Sequence, residues 1–335
     1  MATLPTKAGA VTLLDYAKSL DPNGKVARVI EGLNQTNEML IDMPWMEGNL
    51  PTGHRSSIRN GLPTAIFRQL YQGVPASKSS RIQVDESCGL LTTRSEVDQD
   101  MAELGGNAAA YRVSEQAAFY EALNQLMCGT VVYGNTTSNP QSFMGLAPRY
   151  SAIAAGGANK QNIINAGGAT ANGQNSIWLV GWGEQTVTGI YPLGSKAGLE
   201  HEDLGIIDAF DASNNRYRAY AEIWKWKCGL AVRDWRYAVR ICNVDQAGLI
   251  ADTTGATYKL IEYMRRAIER IPSMKMCKPV FYVNRTTREM LAIQAMNKSV
   301  AALGLAPGLE QFSIAFLGVP IRLCDQLLST EAVVS

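Results

Sequence analysis

The stretch NAAAYRVSEQAAFYEALNQLMCG, residues 107–129, carries the strongest helical pattern in the chain. Phe119, Leu123, Leu126 and Met127 recur on one side, while Glu115, Glu121, Asn124 and Gln125 occupy much of the rest. No proline or internal glycine interrupts it before Gly129, so the spacing predicts one helix over 107–129. At about 1.5 Å per residue it spans about 30 Å, the length of a structural spine.

Downstream of the spine, residues 134–175 are rich in Gly, Asn, Ala and Ser and read as loops. They hold no G-x-x-x-x-G-K-[ST] pattern, which argues against a phosphate cradle. Strands are predicted at Ile177–Trp182 and Val187–Tyr191. Trp235, Tyr237, Val239 and Ile241 alternate with Arg236, Ala238 and Arg240, which predicts a strand with one buried face and one guanidinium-bearing face. Further on, a helix is expected from Thr253–Gly255 with Leu260, Ile261, Met264, Ala267 and Ile268 inward. Val280–Val283 reads as a buried strand, Asn284 as the cap of a helix running to about Met296, and Ala315–Cys324 as a hairpin turning at Gly318–Pro320. Mixed helices and strands in this order make the fold class α+β.

Upstream, Thr64–Tyr71 and Ser80–Asp85 read as the strands of a long hairpin with little apolar surroundings, which needs a partner surface to be stable. Before it lie two short amphipathic helical stretches, about 13–20 and 26–33, broken by Asp21-Pro22-Asn23-Gly24. Each is too short to persist alone and must dock on its own body or on a neighbour.

Charge is segregated here. Arg55, Arg59, Arg68, Lys78 and Arg81 form a basic stretch without an acid, whereas Asp85, Glu86, Glu96, Asp98, Asp100 and Glu103 follow with Arg94 as the single cation. Two readings stand: two solvated faces of opposite sign, or a projecting basic loop lying on the acidic strip (Glu96, Asp98, Asp100, Glu103) of an adjacent subunit.

Composition narrows the function classes. With 335 residues, 46% apolar and 18% charged, the chain can bury a sizeable core. A net charge of +1 argues against a broad nucleic-acid-binding face, and weak local contact stays open. The six cysteines (88, 128, 228, 242, 277, 324) contain no C-x-x-C pair and read as free thiols made in a reducing compartment. No apolar run is long enough for a membrane helix. There are two histidines, His54 and His201, neither in a metal-ligand cluster. Glu200, Glu202 and Asp203 flank His201 in what reads as a polar loop, more consistent with solvated charges than with an acid–base pair. No G-x-S-x-G elbow occurs. No catalytic, cofactor or metal residue is therefore assigned.

An arm, an extended hairpin, a spine helix, an α+β lobe and a return strand resemble, in that order, the tailed-phage major capsid proteins of the Hong Kong 97-like fold. Phe143-Met-Gly-Leu-Ala-Pro-Arg-Tyr150 and Gly229–Asp245, with Asp21-Pro-Asn-Gly24 and Thr36–Pro44, are similar to a short-tailed-phage subfamily. The resemblance implies an N-terminal arm at 1–45, an E-loop at 46–94 and a P-domain at 95–249 carrying the spine and a strand-rich part. It further implies an A-domain at 250–314 and C-terminal return strands at 315–335. The implied function is a self-assembling subunit, in pentamers and hexamers, of the icosahedral shell around a packaged double-stranded DNA genome. Implied partners are a scaffolding protein, since no charged helical leader is seen, a portal and a decoration protein. Contact with the DNA would be weak, and the place of action the virion after assembly in the host cytoplasm. Lys78 is the only lysine of the loop, and nothing in the sequence activates it for the lysine–asparagine cross-link of the founding member. The rivals are an encapsulin-type nanocompartment shell and, in a different class, a soluble enzyme.

Overall fold

The structure is a computed structural model that describes residues 35–104, 107–153, 158–297, 303–305 and 314–335. The two short helices expected before residue 34 lie outside the described residues.

The spine is helix α3 (Ala108–Tyr133), preceded by α1 (Met39–Asp42) and α2 (Gln99–Glu103). Asn107 caps it, its Oδ1 accepting from Ala110 N at 3.0 Å. The helix runs through Gly129 and ends at Gly134, a turn later than predicted. The glycine costs about 1 kcal/mol of helix propensity, and burial of Val131 and Val132 beyond it outweighs that. The inward stripe runs through Leu123, Met127, Cys128, Val131 and Val132, while Leu126, expected inward, is exposed.

The spine lies across a sheet made by β3 (Ser80–Asp98) and β8 (Arg216–Val232). These strands pair antiparallel from Cys88↔Gly229 to Asp98↔Ala219, and β7 (Leu199–Phe210) pairs with the other edge of β8. Phe119 of the spine stacks on buried Trp224 of β8 with ring centroids 5.1 Å apart. Where β8 ends, β6 (Val187–Tyr191) pairs with it, and β1 (Trp45–Glu47) adds in parallel to β6.

The second half of the fold is a mixed sheet centred on β5 (Gln174–Trp182), all nine residues of which are buried. Antiparallel neighbours β9 (Ala238–Asp245) and β10 (Lys278–Val283) flank it. Parallel β4 (Ile163–Asn165) continues past β9, and β13 (Val319–Leu323) continues past β10 to β12 (Ile314–Phe316) and β11 (Leu303–Leu305). A strand covered on both faces reads as a continuous apolar run, as Ile177-Trp-Leu-Val180 does. Besides the short α4 (Leu146–Arg149) and α5 (Gln246–Ala251), helices α6 (Leu260–Arg270) and α7 (Arg285–Asn297) complete the lobe. Asn284 Oδ1 caps α7 through Thr287 N at 2.8 Å. The β12–β13 turn falls at Leu317-Gly318, both at positive φ, one residue earlier than expected. Strands on either side of residue 249 pair in this one sheet, so it crosses the domain border expected there.

Three local expectations are corrected. Residues 64–71 are not a strand: β2 is Gly53–Gly61, and it pairs with Ser80–Ser87. The polar sequence of β2 hid it from an apolar-alternation reading. Helix α6 starts at Leu260 because the Asp252 carboxylate accepts from Ala256 N, Thr257 N and Tyr258 N and holds 252–258 in a turn. Residues 235–237 form a 3-10 turn, and β9 has no guanidinium face. Arg240 is buried, donating to Glu331 Oε2 at 2.7 Å, Ser176 Oγ at 3.0 Å and Tyr150 O at 2.9 Å, with Trp178 beneath it. Glu331 also accepts from Tyr133 OH and Ser176 Oγ. This satisfied cluster ties the last residues of the chain to the spine and the central sheet.

Candidate intersubunit surface

Residues 53–87 leave the body as a two-stranded hairpin, and 62–79 form its extended tip. Along β2 the side chains are mostly exposed beyond His54. Arg55 forms a bidentate pair with Asp85 across the hairpin, at 2.6 and 2.7 Å. That contact lowers the Asp85 carboxyl below its ordinary range, and it occupies Arg55 within its own chain. Arg59 and Arg81 stand directly opposite each other, a like-charge pair that disfavours the hairpin unless an anion from elsewhere meets it. Arg68 donates to Gln72 O at 3.3 Å, and Lys78 is exposed.

The tip is also apolar. Leu62, Ile66, Phe67, Leu70, Tyr71 and Val74 are all exposed, with Phe67 and Tyr71 wholly in solvent. A patch of this kind marks an interaction site. Sequence reasoning weighed the charges here and passed over the apolar residues between them.

The acidic strip lies at the other end of β3. Arg81 and Asp98 sit roughly 55 Å apart along one strand, so the loop and the strip of one chain cannot meet. Glu96 is paired with Arg94 at 2.9 Å. Asp98 Oδ1 accepts from Asp100 N at 2.9 Å and so caps α2. Glu103 accepts from Gln99 and from Tyr220 OH. Asp100 is exposed, and among the described residues its carboxylate has no partner.

A second apolar surface was missed. The first half of the spine exposes Ala109, Val113, Ala117 and Tyr120 along one side, and its second half exposes Ala122 and Leu126 along another. The signal was in the sequence: Ala109, Val113, Ala117 and Tyr120 recur at i, i+4, i+8 and i+11, one side of a helix.

Two clamps fix the hairpin's root. Arg149 of α4 forms a bidentate pair with buried Glu86 at 2.7 and 2.6 Å, and also donates to Gly145 O and Met144 O. Arg233, just after β8, donates to His54 at 2.8 Å. Gly53 is required between them, because a Cβ there would lie 2.0 Å from Glu86 O.

His201 lies on strand β7, not in a loop. It meets Glu222 at 3.1 Å and stacks on Trp224, while Arg112 and Gln116 of the spine hold the same carboxylate. Its sequence neighbours Glu202 and Asp203 pair with Lys225 and Arg112. This cluster braces β7 and β8 against the spine. A cavity of about 450 Å³ beside it is lined by Lys196, Glu200, His201, Glu202 and Lys225. Among the described residues no group of three or more His, Cys, Asp or Glu side chains could hold a metal ion. None of their helices is long and apolar enough to cross a membrane.

A long projecting hairpin, a spine laid on a sheet and a second mixed-sheet lobe are the parts of a shell-forming subunit of the Hong Kong 97-like class. The model of the family described as major capsid protein GP7 matches residues 21–335. A chain from the structure of bacteriophage Epsilon15 is 32% identical over the whole of both chains, with a TM-score of 0.78. The chain belongs to this family of tailed-phage major capsid proteins. Its role is structural: copies of it build the icosahedral capsid of the virion.

More distant likenesses include the bacteriophage JBD30 capsid, with 8% identity over 90% of this chain and 95% of that one and a TM-score of 0.47. The SrpI encapsulin of Synechococcus elongatus PCC 7942 has 12% identity over 65% of this chain and 93% of that one, with a TM-score of 0.42. Neither decides anything about this chain. A search of curated proteins gave no match.

Proposed function

We propose that this capsid subunit gains the stability of its hairpin only on assembly, by seating the apolar tip and the Arg59–Arg81 pair of one copy on a neighbouring copy. The observation that carries this is the tip itself. Six large apolar side chains within residues 62–74 lie in solvent on a hairpin that has no layer beneath it, and an isolated two-stranded hairpin is marginal in water. The exposed apolar side of the spine's first half and the carboxylate of Asp100 offer complementary surface on the neighbour. Of the five cations, Arg55 is already satisfied, so Arg59, Arg68, Lys78 and Arg81 are the ones available to it.

The shell so built encloses double-stranded DNA with only weak local contact, as the near-neutral charge favours. Its assembly in the host cytoplasm, with a scaffolding protein, a portal and a decoration protein as partners, belongs to the same reading.

Phe67→Asp combined with Leu70→Asp tests it. Expected are folded, soluble subunits with unchanged circular dichroism and no shells by negative-stain microscopy. Normal shells from this variant would show that the tip is not an assembly surface.

A further inference from the structure

His54 is the second residue of β2, at the point where the hairpin leaves the body, and only 7% of it is exposed. Its Nε2 accepts from Arg233 Nη2 at 2.8 Å, which places the ring proton on Nδ1. Nδ1 is itself buried and finds no partner among the described residues. Arg233 is held in place from other directions: Nη1 donates to the backbone carbonyl of Glu184 at 2.9 Å, and Nη2 lies 3.5 Å from Met46 Sδ on β1.

The surrounding charges are already engaged. Glu86 faces His54 across the hairpin, but both of its oxygens are held by Arg149. Asp85 and Arg55, next along the hairpin, hold each other. Beside Arg233, Asp234 pairs with Arg236. On β1, Glu47 accepts from Gly194 N.

We infer that His54 makes the hairpin root an acid-sensitive hinge. A second ring proton, taken from water at Nε2, replaces a donor–acceptor contact with Arg233 by two facing donors of like charge. The Glu86–Arg149 clamp stays in place, so the root loosens and does not detach. The contact lies within one chain, so this inference stands independently of how neighbouring copies dock.

The sign of the effect follows from the surroundings. Burial, and then the Arg233 cation, hold the ring's proton affinity below its ordinary 6.5, against a smaller opposing pull from Glu86. A released His54 takes up its proton near 6.5 and a seated one resists it. The contact is therefore fully present above about pH 6.5 and is lost as the pH falls below that.

Hydrogen exchange of residues 53–61 in the full chain and in its His54→Gln variant tests this at about pH 7.5 and about pH 5.5. Glutamine keeps an acceptor for Arg233 and does not titrate. Taking the ratio of the two proteins at each pH cancels the intrinsic pH dependence of exchange. The ratio is expected near one at the higher pH, with the unmodified chain exchanging about ten-fold faster at the lower. A ratio independent of pH overturns the inference. Because the chain has only two histidines, an NMR titration of the unmodified protein gives a reading that needs no folded His54 variant. One ring is expected to titrate below 6.5, and Arg233→Gln is expected to raise that value. If neither ring titrates below 6.5, or if Arg233→Gln moves neither, the inference fails.

Discussion

Strands β5 and β2 are both nine residues long, yet their surroundings share almost nothing. Every residue of β5 is buried between two antiparallel neighbours, whereas β2 pairs along one edge only and buries just Gly53 and His54. The first strand is stabilised entirely by its own chain. The second buries side chains at its root alone, and its outer part has no layer of its own chain to pack on. On the proposed reading a capsid subunit combines the two: a body that folds unaided, and extensions whose burial is completed by other copies.

The largest effect expected is in the body. Leu123→Asp places an unpaired carboxylate on the buried stripe of the spine. Its cost of several kcal/mol rivals the stability of a whole domain, so insoluble protein is expected. Normal yield and circular dichroism would put that stripe in solvent. Glu331→Ala comes next. It strands the Arg240 guanidinium in the core, which should lower stability by about 3–5 kcal/mol in urea unfolding of the subunit. A loss below about 1 kcal/mol would mean that the cluster is solvated.

Effects shrink toward the hairpin. Glu86→Gln weakens one root clamp by about 1–3 kcal/mol. The cost should appear as faster exchange of residues 53–61, with residues 174–182 unchanged. Equal change in both segments would mean that hairpin and body open together. Smallest is Arg59→Glu, which turns the like-charge pair with Arg81 into an opposite-charge one, so subunit stability should rise by no more than about 1 kcal/mol. Combined with Arg68→Glu it should slow assembly, as added salt should for the unmodified chain. Asp100→Lys should restore part of the rate. Asp98 is unsuited to that rescue because its carboxylate caps α2. If the double reversal assembles at the normal rate, the basic stretch is an ordinary solvated face.

The same contrast explains what the sequence revealed. Where burial is local and periodic, it was legible: the spine, β5, β6, β10 and the Asn284 cap all stand close to their expected places. Where it depends on distant partners, it was not. Arg240 alternates in sequence like an exposed residue and is buried because Glu331, 91 residues away, neutralises it. Strand β2 is too polar to announce itself, because its outer part has no core to face. The segregated charges were visible, but not that Arg55 and Glu96 are each paired within the chain. The apolar side of the spine's first half was also visible, in the spacing of Ala109, Val113, Ala117 and Tyr120, and only the structure showed it uncovered.

Hydrogen exchange of the free subunit against the assembled shell tests the division most directly. Residues 62–79 are expected to exchange freely in the subunit and to gain about 100-fold protection or more in the shell. Residues 174–182 and 238–245 should be equally protected in both. Strong protection of 62–79 in the free subunit, or none gained in the shell, would contradict the account.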